Sequence, residues 1–141
     1  MYNYQHLQTI VEVEFANIVL ATEIIRQRKL RIILIDSSFK DVFYSPDPQK
    51  QFFAYHWERS HIDGTIYRHD NVPDGKWEHI DSFPKHFHDG YYENVKESSI
   101  SDAPAEAMRF FLSFVESRII RLDLKIIAMT VWKGMVNRNA Y

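Results

Sequence analysis

A chain of 141 residues, 45% hydrophobic and 15% aromatic, has room for one domain with a real core, which excludes disorder as its resting state. Its formal net charge of -2 excludes a globally basic nucleic-acid binder, and the lack of cysteine excludes disulfides and thiolate metal sites. No apolar run reaches the roughly 18 residues of a membrane span, and the start MYNYQHLQ has neither part of a secretory signal, so no membrane role and a cytoplasmic location are expected.

The opening residues to Phe15 read as a short helix running into a strand, because apolar and acidic residues alternate from Val11 to Phe15. VLATEIIRQRKLRIILID follows with two β-prone runs around Arg28-Lys29. The second, LRIILI, is almost continuously apolar, as expected of a strand covered on both faces. DSSF turns the chain into KDVFYS, and Pro46-Asp47-Pro48 stops that strand. QFFAYHWER and TIYRHDN are the next two strands, joined through Asp63-Gly64.

From Val72 to Ser101 the pattern is irregular and is broken by Pro73, Gly75, Pro84 and Gly90, which suggests a long functional loop rich in histidine. SDAPAEAMRFFLSFVESRIIRL then starts a helix, with Ser101 or Asp102 near its N-cap, Pro104 in its first turn and Glu106 at capping-box distance. Phe111, Phe114, Val115, Ile119 and Leu122 form its apolar stripe. The tail KIIAMTVWKGMVNRNAY fits a helix extension, an added strand or a subunit contact. The expected class is α+β: one domain over 1–141, with an antiparallel meander of about five strands packed against a C-terminal amphipathic helix. Its core covers about 18–122, and 123–141 form a tail.

Six of the seven histidines lie between His56 and His88. In Lys85-His86-Phe87-His88 an extended chain sends His86 and His88 to one side and Phe87 to the other. Two imidazoles so placed can ligate a metal at ~2.0–2.1 Å, divide base and acid roles, or simply be solvated. A second cluster is His56-Trp57 with Tyr67-Arg68-His69-Asp70-Asn71. Alternation puts Arg68 and Asp70 on one face. His56 joins them if the intervening loop is bulged, and faces Tyr67 or His69 if it is a two-residue turn.

Arg68 beside Asp70 fits a phosphate-gripping guanidinium held by a carboxylate, or an ordinary ion pair. Asp70-Asn71-Val72-Pro73 also fits a structural Asx-turn. Trp57 and Trp77 suit a core or a lid, or a platform for an unpaired base. Gly-rich phosphate loops, G-x-S-x-G elbows and HExxH helices are missing. What remains is His, Arg, Asp and Tyr, the tools of metal-free phosphodiester transfer.

Taken together, FAYHWERSHIDGTIYRHDNVP, SFPKHFHDG and VKESSI before the helix resemble the TumE-like toxin family, toxin components of small prokaryotic toxin–antitoxin modules. The resemblance runs from Leu30 to Val115. The family motif falls on His56, Trp57, Arg68, Asp70, Asn71, Phe83, Pro84, His86 and His88. It implies a growth-inhibiting toxin that acts on RNA and is neutralised by an antitoxin. The chain departs from the family pattern at Asp74-Gly75 and at Lys85, where members commonly carry histidine. That weakens a polyhistidine metal site and adds a cation a phosphate would welcome.

The expectation is therefore a metal-independent endoribonuclease with no cofactor. His86, His88, His56 and Asp70 would be catalytic, and Arg68, Asn71, Lys85 and Trp57 would bind substrate. RNA is the expected substrate and a cognate antitoxin the expected partner, while the apolar stretch Ile126–Trp132 leaves a homodimer open. Two alternatives stand beside it. One is a non-catalytic binding or regulatory module, which requires an exposed Trp57 or Trp77 and scattered histidines. The other is a metal-dependent nuclease using His86, His88 and Asp70.

Overall fold

The computed structural model describes residues 2–138. Helix α1 (Gln5–Glu14) precedes strands β1 (Val19–Ile25), β2 (Lys29–Leu34), β3 (Phe39–Tyr44) and β4 (Phe53–Arg59). A four-residue helical turn, α2 (Ser60–Asp63), leads to β5 (Thr65–Asp70). A 3₁₀ turn (Gly75–Trp77), β6 (His86–Gly90), β7 (Val95–Glu97) and the long helix α3 (Pro104–Arg138) complete the chain. The strands form a single seven-stranded antiparallel sheet in sequence order.

The α+β meander with its C-terminal helix is as expected, with seven strands in place of about five. Val72–Ser101 is less irregular than its composition indicates, because it contributes β6 and β7. The first helix runs through Glu14 and does not give way to a strand at Val11. Leu7, Ile10 and Val11, spaced i, i+3, i+4, are the residues it buries. They join the core together with Phe15 and Ile18, so packing begins upstream of residue 18. As far as Arg138 the tail continues α3, and its last three residues, 139–141, lie outside the described residues.

Strand alternation divides the sheet into two unlike faces. Leu30, Val42, Tyr55, His69 and Phe87 lie across from one another on successive strands, as do Ile32, Lys40, Trp57 and Tyr67. This face meets α1 and the first part of α3, which buries Ala107, Met108, Phe111, Leu112, Val115 and Ile119. Phe111 stacks on Phe114 and meets Tyr55 edge-on, so Phe111→Ala would cost about 3–5 kcal/mol. β2 is covered on this one side only. Leu30, Ile32 and Leu34 are buried, whereas Arg31 between them turns outward to a bidentate pair with Asp41.

The other face is polar. Arg31, Asp41, His56, Arg68 and His88 form a row directly across five strands, and Asp70 and His86 stand opposite each other beside it. The register at β4–β5 comes from the connection. α2 ends at Gly64, whose φ of 78° is the left-handed conformation that glycine adopts without strain. Before α3, the Ser101 hydroxyl accepts the Ala103 N–H and bonds Glu106, a capping arrangement written in the sequence.

Candidate functional site

The polar face closes into a pocket only at β5 and β6. Arg68 lies opposite His88 and Asp70 opposite His86, so pairing alone brings the four side chains together. Phe87, between the histidines, points the other way into aromatic packing with His69 and Phe114. His86 and His88 are nonetheless only 3% and 1% exposed, because the chain between β5 and β6 folds back over them. Asp74 accepts the Lys76 N–H to start the 3₁₀ turn, which presents Trp77 with its ring 6.3 Å from that of His86 and 6.0 Å from that of His88. A cavity of about 180 Å³ remains, lined by Arg68, Asp70, Trp77, His86, His88 and Tyr92 among others.

Inside it, Arg68 Nε donates to Asp70 Oδ2 at 2.6 Å, and the Val72 N–H donates to Oδ1 at 3.0 Å. His86 Nε2 is 3.5 Å from Asp70 Oδ1, and His88 Nε2 is 4.0 Å from Oδ2. The far side of each imidazole is tied to the backbone: His86 Nδ1 to the Pro84 carbonyl at 2.9 Å, His88 Nδ1 to the Tyr92 carbonyl at 2.6 Å. Burial pushes the His88 pKa below its ordinary value, although the Tyr92 carbonyl opposes this, so the ring is neutral near pH 7. One potential ligand atom from each of Asp70, His86 and His88 lies within 4.8 Å of the others, so these three could hold a metal.

The remaining expected site residues lie elsewhere. His56 shares the face of Arg68, as a longer connection requires, but its Nε2 bonds Glu58 at 3.0 Å and it does not line the cavity. Its Nδ1 is buried without a partner among the described residues. Asn71 clamps the start of β4, accepting from the Phe53 N–H and donating to the Gln51 carbonyl. Lys85 reaches the Ile100 carbonyl and Asp102.

Trp57 is completely buried, donates to Ser38 Oγ at 2.8 Å and packs on Tyr67, so no base can stack on it. Trp77 and Tyr92 line the pocket without having been picked out for it by the sequence. Trp77 was legible as a core or lid residue or a platform for a base; Tyr92 carried no signal. His69 belongs to the core face, where burial pushes its pKa down to about 3, and its Nδ1 bonds Ser98 Oγ.

A one-layer antiparallel meander, backed by helices on one side and carrying a lidded His/Asp/Arg pocket on the other, defines a small α+β protein with its chemistry at one end of the sheet. The chain belongs to the TumE toxin family: the family model described as Toxin TumE matches residues 6–119. No curated protein and no solved structure matches it. Among the described residues, no helix is long and apolar enough to cross a membrane.

Proposed function

We propose that this toxin cleaves RNA at the pocket between β5 and β6 and is held in check by a cognate antitoxin. The observation that carries the reading is the meeting of one guanidinium, one carboxylate and two imidazoles around a single cavity. Arg68 is the phosphate-binding group. Its Nε is held by Asp70 while the end of the side chain stays partly exposed, the geometry in which a guanidinium can still grip an oxyanion.

The histidines handle protons. A neutral Nε2 takes the 2′-hydroxyl proton, the freed oxygen attacks phosphorus, and the 5′-oxygen leaves with a proton from the second ring, which has to enter the step as an imidazolium carrying a proton on Nε2. Burial of Trp57 and Trp77 takes away the two tryptophans that the associative alternative needed exposed. His56, Asn71, Lys85 and Trp57 have no part in this scheme.

Purified protein is incubated with RNA beside the His88→Ala and Arg68→Ala variants. The wild type should shorten the RNA, and His88→Ala should slow it by about 10²–10⁴-fold, the usual worth of an acid–base group. Equal RNA loss in all three preparations would mark a contaminating nuclease and end the reading.

A further inference from the structure

A backbone carbonyl can only accept a hydrogen bond, so Pro84 and Tyr92 fix the proton of each imidazole on Nδ1. In the neutral form of either ring Nε2 therefore carries the lone pair, and both Nε2 atoms face the Asp70 carboxylate across the cavity at 3.5 Å and 4.0 Å. Two imidazole nitrogens and a carboxylate thus converge within 4.8 Å of one another. Arg68 supplies positive charge to Oδ2 from one side and bonds neither nitrogen. These acceptors repel one another unless a cation lies among them. One extra proton serves a single ring, and across 3.5 Å it makes a poor bond.

We infer that Asp70, His86 and His88 bind a divalent first-row transition metal ion, zinc in character. Two imidazoles and one carboxylate suit such an ion, whereas calcium and magnesium prefer cages of oxygen. Three ligands at about 2.0–2.1 Å around a tetrahedral ion stand about 3.4 Å apart; one ligand atom from each of the three residues lies within 4.8 Å of the others, and side-chain rotations bring them to that spacing. The backbone carbonyls on both Nδ1 atoms are the outer-sphere partners that orient metal-binding histidines. Three protein ligands leave a coordination position open toward the cavity, next to Arg68.

The histidines this chain lacks at Asp74, Gly75 and Lys85 are not needed. The third ligand is Asp70, and Lys85 is engaged at Ile100 and Asp102. Arg68 already offsets the Asp70 charge, so the site is weaker than a bare carboxylate would make it. With an ion bound, both Nε2 atoms are ligands, so where RNA is the substrate, water on the ion would take over both the base and the acid parts that the metal-free scheme gives the rings. Only that role rests on the RNA-cleavage reading; the binding does not.

The protein, purified without a histidine tag and stripped with EDTA, is titrated calorimetrically with zinc and spectroscopically with cobalt(II). One equivalent should bind, raise the melting temperature, give visible cobalt d–d bands and quench Trp77. Asp70→Asn and His88→Gln should weaken binding by more than the roughly 10–100-fold that loss of an outer-sphere partner costs. His61→Gln, at an exposed histidine, should leave it unchanged. Absence of saturable binding, or equal binding in His88→Gln, overturns the inference. If a variant does not fold, the wild-type cobalt spectrum decides, since bands of an ion bound only by water refute the site. Metal binding without RNA cleavage would sink the RNA reading alone, and full cleavage in EDTA would sink the catalytic part given to the ion.

Discussion

Lys40 is a charged residue type placed where a charge cannot stay. Its side chain crosses the helix–sheet interface with Nζ 4.0 Å from the centre of the Phe111 ring, 5.0 Å from that of Tyr55 and 3.9 Å from Met108 Sδ, with no carboxylate paired to it among the described residues. Burial pushes its pKa well below the ordinary 10.5. The folded state then releases a proton that the unfolded state keeps, so stability rises with pH between the lowered value and the ordinary one. The contribution is complete above the ordinary value and is lost as pH falls through the lowered one. From pH 7 to pH 9, urea unfolding should show the wild type gaining up to about 1.4 kcal/mol per pH unit relative to Lys40→Met. At pH 7 the methionine variant should be the more stable by about 1–4 kcal/mol, as when buried charged groups give way to apolar ones of similar volume. Parallel curves for the two proteins would show that Lys40 keeps its proton in the core. Nothing in the local sequence Phe39-Lys40-Asp41 gives this away, since alternation says only that Lys40 and Val42 share a face.

Among the elements, the lid over β5 and β6 makes the site different from the rest of the polar face. Trp77 is 8% exposed and covers both histidines, so Trp77→Ala should cost about 3 kcal/mol and open the pocket. Diethyl pyrocarbonate labelling read by mass spectrometry should leave His86 and His88 of the wild type almost unmodified and mark both in the variant. Protection that survives the substitution would mean that other residues of the segment form the cover. β6 was hard to read as a strand for the same reason. In His86-Phe87-His88-Asp89-Gly90 the buried positions on the pocket side are polar, so no apolar alternation announces the strand. The three-residue edge strand β7 is too short to show a period. Val11-Glu12-Val13-Glu14-Phe15 fails in the opposite sense. It alternates like a strand, yet Val13 is 73% exposed on a helix whose inward face is set by Leu7, Ile10 and Val11. Arg68 and Asp70 were legible as neighbours from alternation alone. Their meeting with His86 and His88 depends on the β5–β6 register, which no local pattern encodes.

At the scale of the molecule, α3 has two halves with different duties. Up to Ile119 it closes the core, with Arg118 reaching back to the Tyr67 hydroxyl. From Ile120 to Val136 every residue is exposed, although Leu124, Ile126, Ile127, Met129, Val131, Trp132 and Met135 are large and apolar. These residues surround the helix instead of forming one stripe, so no sequence period points them at the sheet. At ~1.5 Å per residue the 35-residue helix is about 52 Å long, more than a sheet of three- to seven-residue strands can back. The projecting end therefore contributes little to the stability of the domain and exposes apolar surface of the kind that drives association. Deleting residues 127–141 keeps Leu122 and Ile126, which line a shallow pocket together with Arg59 and Ile62. It should move the melting temperature by no more than about 2 °C, since less than ~0.5 kcal/mol of packing is lost, while light scattering at high concentration should fall. A drop of about 8 °C or more would mean that this end docks in solution and holds the domain together, contrary to its exposure along the whole length.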